Sequence, residues 1–271
     1  MIALVLGGGG MLGAVEVGML RALVEAGVQP DLILGSSVGA INGAAVAADF
    51  TAETVERLGE LWERLGRGAV FAEGVLGRMA NLARSGTHVH GSEGMRALLE
   101  EHSKGLLIED LKVRFSCVAA CIETASAHWF DSGPVVDAVM ASAAVPGLLP
   151  PVAIGGRHYL DGGLVHSIPV GRALALGATQ VFVLQVGRVE RPLRPPRWPW
   201  EVGMVAFEIA RRHRFSEEMA SLPQDRDVIV LPTGDIAAPG ANLRYRSTGQ
   251  VSARIEAAYR ASVDALERRV G

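Results

Sequence analysis

Short runs of aliphatic residues alternate with stretches of helical periodicity along most of this chain. The run Ile2–Leu6 is aliphatic throughout, which predicts a strand buried on both faces, as in a parallel sheet covered by helices. Glycines dominate residues 7–13, and the apolar residues over 12–23 recur at helical spacing until Gly27 supplies a stop. The chain therefore opens with a strand, a glycine-rich loop and a helix.

The remaining apolar runs predict further strands and helices. Strands are expected at residues 31–34, 113–122, 127–130, 181–186 and 228–231, with a tight turn between two short strands at 154–160. Helices are expected at residues 38 onward, 51–65, 135–142, 168–176 and 247 to about 269, the last opening with the capping box Ser247-Thr248-Gly249-Gln250. At 271 residues, a single α/β domain over 1–271 is the simplest organisation.

Two segments do not fit this alternation. In residues 66–90, glycines alternate with large apolar residues, which fits either a cover over a site or a connection packed on the body of the protein. Residues 188–214 carry seven arginines against three glutamates, a net charge of +4, and include Trp198 and Trp200. Four prolines between 188 and 200 predict a loop or excursion there. This basic segment fits an anionic membrane surface, a solvated face or an oligomer contact.

Composition and charge narrow the class of protein. The net charge of −3 and a pI near 6.2 give no bulk electrostatic attraction to nucleic acid, so we expect no nucleic-acid partner. Cys117 and Cys121 lie four residues apart in a predicted strand, too far apart to form a disulfide, and are expected in the core. No cluster of His, Cys or carboxylates has metal-ligand spacing, so we expect no metal and no cofactor.

The chain shows no convincing targeting or membrane-spanning segment. The first twenty residues are apolar, but they lack a basic region and are interrupted by the glycines at 7–10, so mature structure is expected from Met1. Residues 138–156 are uncharged but contain Pro146, Pro150 and Pro151, which would break a spanning helix. We therefore expect a cytoplasmic protein, with peripheral contact to the inner face of the membrane kept open.

Ser37 is the candidate nucleophile. Gly35, Ser37 and Gly39 fit the pattern G-x-S-x-G between a predicted strand and a helix of small residues. In a nucleophile elbow, a serine on a strained turn presents its hydroxyl above the sheet, and the flanking glycines avoid clashes. Taken alone, a serine here would more often be a helix N-cap, so its context decides.

The glycine loop and a later aspartate supply that context. A glycine loop before a helix exposes N–H groups that suit either a phosphate or a developing oxyanion. The dinucleotide pattern, Gly8, Gly10 and Gly13, also needs an acidic residue at the far end of the second strand, whereas Asp31 opens that strand. Asp161 follows a short strand and precedes two glycines, a position from which it can meet the elbow or serve as an ordinary turn aspartate.

Four elements in order resemble the patatin-like phospholipase family. They are the glycine loop at 8–13, the G-x-S-x-G elbow at 35–39, a segment of the type A-S-x-A-x-P-x-x-x-P-P at 141–151, and D-G-G at 161–163. The chain departs from the family at Leu12, where the loop usually carries arginine or lysine. This loop therefore lacks charge assistance of its own, which implies a weaker oxyanion hole or a different substrate head group.

The resemblance implies a fold and an activity. The expected fold is a three-layer α/β/α sandwich around a mixed, mainly parallel sheet. The expected activity is hydrolysis of carboxylic esters of lipids, of phospholipase A or lysophospholipase type, with a lipid ester as substrate. The alternative is a patatin-like lipid-binding or regulatory protein in which Leu12 accompanies lost turnover.

The resemblance also implies a Ser-Asp dyad without histidine. In this chain the dyad would be Ser37 and Asp161, and His166 and His213 are expected to be structural or surface residues. The candidate oxyanion and substrate-binding positions are Gly8, Gly9, Gly10, Gly13 and Val38.

Overall fold

The computed structural model describes residues 1–66, 88, 90–103, 105–186, 192–197, 199–220, 226–234 and 248–270. The predicted cover at 66–90 lies outside the described residues except at its two ends. Part of the basic segment, residues 188–191 and 198, also lies outside them.

Eight strands among the described residues form one mixed sheet. Their bounds are β1 (Ile2–Leu6), β2 (Leu32–Ser36), β3 (Arg114–Cys121), β4 (Ser126–Phe130), β5 (Val152–Ile154), β6 (Arg157–Asp161), β7 (Gln180–Leu184) and β8 (Asp227–Leu231). The order is β5-β6-β3-β2-β1-β7-β8, and β4 also pairs with β3. Strands β8, β7, β1, β2 and β3 are parallel, whereas β4 and β6 are antiparallel to β3 and β5 is antiparallel to β6.

Helices cover both faces of this sheet. Their bounds in the described part of the chain are α1 (Ala14–Glu25), α2 (Val38–Ala48), α3 (Ala52–Gly66), α4 (Glu93–Ser103), α5 (Val135–Ser142), α6 (Val170–Ala175), α7 (Pro199–Ala220) and α8 (Thr248–Val270). Leu4 and Leu6 of β1 join a core with α1, α2 and α3, while Ala3 and Val5 join a second core with α6 and Phe215 of α7. Alternate residues of one strand thus face two helical layers, which confirms the expected three-layer sandwich.

Helix α7 is a structural feature that the sequence pattern did not indicate. The prolines at 188–200 predicted a loop, but Pro199 is the first residue of a helix that runs to Ala220. Proline is well tolerated at the first position of a helix. Its periodicity is obscure because apolar residues lie on two faces, with Val202 and Ile209 exposed and Phe215 packed in the core. None of the described helices has both the length and the apolarity needed to cross a membrane.

Candidate active site

Strands β2 and β6 end at neighbouring positions along β3. Val118 of β3 pairs with Ser36, the last residue of β2, and Ala119 pairs with Asp161, the last residue of β6. Strand β4 pairs with both Val118 and Ala119, so it occupies the other side of β3 and leaves β2 and β6 to share one side. Two strands that approach each other head to head in this way bring the residue after β2 against the last residue of β6.

Ser37 lies on a strained turn between β2 and α2. Its φ of 55° and ψ of −122° are in a region that non-glycine residues rarely adopt. A Cβ on Gly39 would lie 2.3 Å from the Leu6 carbonyl oxygen, and a Cβ on Gly35 would lie 2.6 Å from Cα of Ala40. Only glycine fits these two positions without moving backbone, which explains the spacing G-x-S-x-G.

The side chains of Ser37 and Asp161 are in direct contact. The hydroxyl of Ser37 donates to Asp161 Oδ2 at 2.5 Å, and the N–H of Gly163 donates to Asp161 Oδ1 at 2.7 Å. Asp161 is fully buried, whereas Ser37 is 5% exposed. Burial raises the pKa of Asp161 from 3.8 to about 6, against the opposing effects of the bonds from Ser37 and Gly163 and of the positive charge of Arg211. Asp161 is thus more basic than an ordinary carboxylate.

Ser142, at the end of α5, supports the elbow from below. The backbone N–H of Ser37 donates to Ser142 Oγ at 2.9 Å, and the Ser142 hydroxyl donates to the Val118 carbonyl oxygen at 2.6 Å. This one hydroxyl therefore ties the strained turn to β3. No role for Ser142 was predicted from the sequence, although this residue belongs to the A-S-x-A-x-P segment, which was the available signal.

The candidate oxyanion residues differ in what their amides do. The N–H of Gly8 donates to the Ser167 carbonyl oxygen at 2.9 Å, so this amide is occupied. Gly8 instead lets Ser37 approach closely, since a Cβ added at position 8 would lie 3.3 Å from the Cβ of Ser37. The N–H groups of Gly9, Gly10 and Val38 have no acceptor among the residues that the structure describes. These three donors are available to a ligand.

Gly13 has a packing role beneath the loop. A Cβ at this position would lie 2.1 Å from Cγ2 of Val38 and 2.6 Å from Cζ2 of Trp62, so glycine lets α1, α2 and α3 meet closely. Its carbonyl oxygen accepts from Nδ2 of Asn42 at 3.0 Å. Asn42 also donates to Glu16 Oε2 at 2.7 Å, a fully buried carboxyl whose pKa is raised well above its usual value by burial. The sequence showed Glu16 only as the sole charge in the first twenty residues.

Arg211 reaches the glycine loop from helix α7. Its Nη1 donates to the Gly8 carbonyl oxygen at 3.0 Å and to Ser167 Oγ at 3.2 Å. Its Nε and Nη2 donate to the carboxylate of Glu208 at 2.9 and 2.7 Å. The side chain is almost fully buried, with Arg211 8% exposed. In the sequence, Arg211 was one of seven arginines in the basic segment and was not distinguished from the others.

The histidines considered in the sequence lie apart from this contact. The His166 Nδ1 atom is 4.0 Å from Glu218 Oε2, and its ring stacks in a tilted geometry on Trp129. The exposed His213 Nε2 atom is 3.4 Å from Glu217 Oε1. In the part of the chain that the structure describes, no three His, Cys, Asp or Glu side chains come together as metal ligands. The acceptor for the Ser37 hydroxyl is a carboxylate rather than an imidazole.

Comparisons with known proteins found matches in both sequence and fold. Residues 4–174 match the family model described as patatin-like phospholipase. The chain is 34% identical over 194 residues to lysophospholipase nte1 of Aspergillus terreus and 33% identical over 197 residues to lysophospholipase nte1 of Emericella nidulans. Each match covers 70% of this chain but only 12% of the longer relative. Its fold is similar to that of VipD from Legionella pneumophila, with a TM-score of 0.50 and 16% identity over 98% of this chain and 66% of VipD.

Proposed function

The chain belongs to the patatin-like phospholipase family, and from that premise we propose that it is a serine acyl hydrolase that cleaves carboxylic esters of lipids. The observation that carries the proposal is the hydrogen bond of 2.5 Å from the Ser37 hydroxyl to Asp161, made at a strained turn beside unoccupied backbone N–H groups. A structural serine would not need a φ of 55° to make a hydrogen bond. We keep residues 1–271 as one domain as part of the proposal.

In the first step, Ser37 attacks the ester carbonyl carbon while Asp161 accepts the hydroxyl proton. With a pKa of about 6, Asp161 is ionised near neutral pH and is still basic enough to assist proton transfer. The Ser37 Oγ–carbon bond forms, and the carbonyl π electrons move to the oxygen, which becomes an oxyanion.

The N–H groups of Gly9, Gly10 and Val38 are the proposed oxyanion donors. They come from two different segments, the glycine loop after β1 and the N-terminus of α2. Each donor of this kind contributes roughly 3 kcal/mol to stabilising the transition state. The N-terminal dipole of α2 adds to the field at the oxyanion.

Collapse of this intermediate breaks the ester carbon–oxygen bond. Asp161 returns its proton to the leaving alcohol, and the acyl group remains on Ser37 as an ester. Water then attacks the acyl-enzyme with Asp161 again as base, which releases the fatty acid and restores the Ser37 hydroxyl. No group beyond the chain and water is needed to balance either half of the reaction.

Lysophospholipids are the substrates that we propose to try first. The fungal relatives carry the name lysophospholipase, although this chain corresponds to only a small part of each. Phospholipids and neutral lipids contain the same carboxylic ester bond, acyl thioesters carry sulfur in place of the ester oxygen, and the three classes form the comparison set.

We further propose that helix α7 contacts a membrane surface. Its outer face presents Val202 and Ile209, 53% and 54% exposed, and the exposed Arg194 and Arg197 precede the helix. The opposite face carries Phe207 and Arg211 next to the active site, so a lipid surface on α7 would lie close to the reacting groups. Apolar side chains with nearby arginines favour an anionic bilayer, and a cytoplasmic location at its inner face remains part of this proposal.

Labelling with a fluorophosphonate probe tests the hydrolase proposal most directly. The wild-type protein is expected to be labelled and to release fatty acid from lysophosphatidylcholine, and Ser37→Ala is expected to abolish both. Asp161→Asn is expected to lower hydrolysis by about 10²- to 10⁴-fold, the range for loss of a general base. Folded variants that retain the wild-type rate would contradict the assignment. A wild-type protein that is neither labelled nor active but binds lipid would instead support the lipid-binding alternative.

A further inference from the structure

We propose that Arg211 is a positioning residue of the glycine loop, whose guanidinium fixes the Gly8–Gly9 peptide so that the Gly9 N–H faces the oxyanion. This inference rests on the proposed hydrolase function. It assigns to helix α7 the cation that the family resemblance places inside the loop, where this chain has Leu12.

The Gly8 carbonyl and the Gly9 N–H are parts of one peptide unit. They belong to the same plane and point in opposite directions, because the peptide bond is trans. A donor that holds the Gly8 oxygen at 3.0 Å therefore also sets the direction of the Gly9 N–H. A cation at the oxygen polarises the amide, which makes the N–H a stronger donor.

The loop needs such a constraint from outside itself. Residues 7–10 are all glycines, whose backbone has more conformational freedom than that of any other residue. Gly7 N–H donates to the Leu184 carbonyl oxygen at 3.0 Å and Gly8 N–H to the Ser167 carbonyl oxygen at 2.9 Å, whereas the Gly9 carbonyl oxygen accepts from Leu12 N–H at 3.2 Å, within the loop itself. Arg211 adds the next bond along the chain, directly before the proposed donors.

Arg211 is itself held in place. Glu208, one helical turn earlier, accepts from Nε and Nη2, while Nη1 bridges Gly8 and Ser167 Oγ. The planar guanidinium presents donors on three nitrogens in fixed directions and so reaches both partners at once, whereas an ammonium group has all its donors on one nitrogen. Arg212, the next residue of the same helix, donates to the same Glu208 at 2.8 Å, so it offers a matched control for the loss of one arginine from this pair.

Arg211 also acts electrostatically on the proposed base. Its positive charge lowers the pKa of Asp161, against the larger effect of burial. The titratable groups nearby contact other partners: Glu208 pairs with the two arginines of α7, and His166 Nδ1 lies 4.0 Å from Glu218 Oε2. Loss of Arg211 should therefore shift the acid limb of activity toward higher pH, which a purely structural defect in the helix would not do.

The test compares Arg211→Met, Arg211→Lys and Arg212→Met by kcat, KM and the pH dependence of kcat/KM, with active sites titrated by the fluorophosphonate. Arg211→Met is expected to lower kcat by about 10- to 100-fold with little change in KM, and to move the acid limb to higher pH. Arg211→Lys should keep the limb near its wild-type position but recover only part of kcat. Arg212→Met should match the wild type in all three readouts.

Each other outcome is decisive. A wild-type kcat per titrated site and an unshifted limb in Arg211→Met would overturn the assignment, even if the variant melted at a lower temperature. If Arg211→Met does not fold, Glu208→Gln, which weakens the hold on the guanidinium, should lower kcat several-fold, and a wild-type kcat there would overturn it. If the wild-type protein itself is inactive and unlabelled, the proposed function fails. If Ser37→Ala loses activity as expected while Arg211→Met keeps the wild-type kcat and pH dependence, only the role of Arg211 is contradicted and the proposed function stands.

Discussion

The hydroxyl oxygen of Ser142 accepts a hydrogen bond from the backbone N–H of Ser37 at 2.9 Å, and the same hydroxyl donates a hydrogen bond to the Val118 carbonyl oxygen at 2.6 Å. All three groups are buried. The strained turn that presents the proposed nucleophile is thus anchored to the middle of β3 through one side chain, 105 residues further along the chain.

Removal of the Ser142 hydroxyl should lower both the free energy of unfolding and the rate of ester hydrolysis. Ser142→Ala leaves the Ser37 N–H and the Val118 carbonyl without their partner, which costs about 1–3 kcal/mol in the free energy of unfolding. Because the turn loses its anchor, kcat should fall as well. Denaturant unfolding and hydrolysis of a p-nitrophenyl ester measure the two effects. As a control, Ser116→Ala removes a buried hydroxyl that has no hydrogen-bond partner among the described residues, and it should be near neutral. Equal behaviour of the two variants would contradict the anchoring role.

Activity should depend on one ionisation with a midpoint near pH 6. Burial raises the pKa of Asp161 to about 6, and only the ionised carboxylate can accept the Ser37 proton. With an ester that does not itself ionise, kcat/KM should fall about tenfold per pH unit below that midpoint and level off above it. A profile that stays flat down to pH 4.5 would show that another group limits the rate.

Ionisation of the buried Asp161 should make the wild-type protein less stable than the inactive variant Asp161→Asn. Between 3.8 and about 6 the folded state binds the Asp161 proton and the unfolded state does not, so the free energy of unfolding falls as pH rises through this window. Asp161→Asn removes the buried charge and should raise that free energy by up to about 3 kcal/mol above pH 6.

The measurement is chemical unfolding of both proteins at several pH values. The difference between wild type and Asp161→Asn should be largest near neutral pH and should shrink below about pH 4, where both proteins are neutral at this position. Asp264→Asn, at an exposed position on α8, is the control and should change stability by less than about 0.5 kcal/mol. A variant less stable than wild type at pH 7 would mean that the hydrogen bonds of the carboxylate outweigh its burial.

The meeting of Ser37 and Asp161 could be anticipated because each is marked by local chemistry. A strand that ends in glycine and serine, and another that ends in Asp-Gly-Gly, both place a side chain at a strand terminus, and strand ends are where sites form in α/β proteins. Gly35 has a local reason, since a Cβ there would meet the backbone of Ala40 in the same turn, whereas Gly39 is required by the neighbouring carbonyl oxygens of Leu6 and Gly7. The sheet then needs only to bring the two strand ends together.

Arg211 and Glu16 could not be found in this way. Arg211 contacts a loop 203 residues earlier in the chain, and its helix carries no clear apolar stripe by which its buried face might be identified. Glu16 occupies a position where the surrounding pattern calls for an apolar residue, and its partner Asn42 lies on a different helix. Contacts made by single polar side chains between distant elements leave no periodicity in the sequence.

The elbow should tolerate no side chain at Gly39. In Gly39→Ala, the added Cβ meets the Leu6 carbonyl oxygen at 2.3 Å and the Gly7 carbonyl oxygen at 2.9 Å, so β1 or α2 must move. We expect a loss of about 1–3 kcal/mol in the free energy of unfolding, with loss of hydrolysis. The matched control is Gly59→Ala within α3, where the nearest atom is Cγ1 of Val17 at 3.9 Å and alanine should stabilise by about 0.5–1 kcal/mol. Retention of full activity in Gly39→Ala would exclude a rigid elbow.

Substitutions on the outer face of α7 distinguish the three interpretations of the basic segment, which are membrane contact, oligomer contact and a solvated face. Insertion of the half-exposed Val202 and Ile209 side chains into a bilayer contributes roughly 1 kcal/mol each, and nearby arginines add attraction to anionic lipid. The double variant Val202→Asp, Ile209→Asp should therefore lose sedimentation with phosphatidylglycerol-containing vesicles, and wild-type binding should weaken with salt. Val230→Asp, at an exposed position on β8, should bind as the wild type does.

The other two interpretations predict different results for the double variant. If its oligomeric mass in solution changes while its vesicle binding does not, this face is an oligomer contact. If neither its mass nor its vesicle binding changes, the face is a solvated surface. Since Phe207 and Arg211 lie on the other side of the same helix, loss of vesicle binding should also reduce turnover on vesicle lipid while hydrolysis of a dissolved ester stays constant.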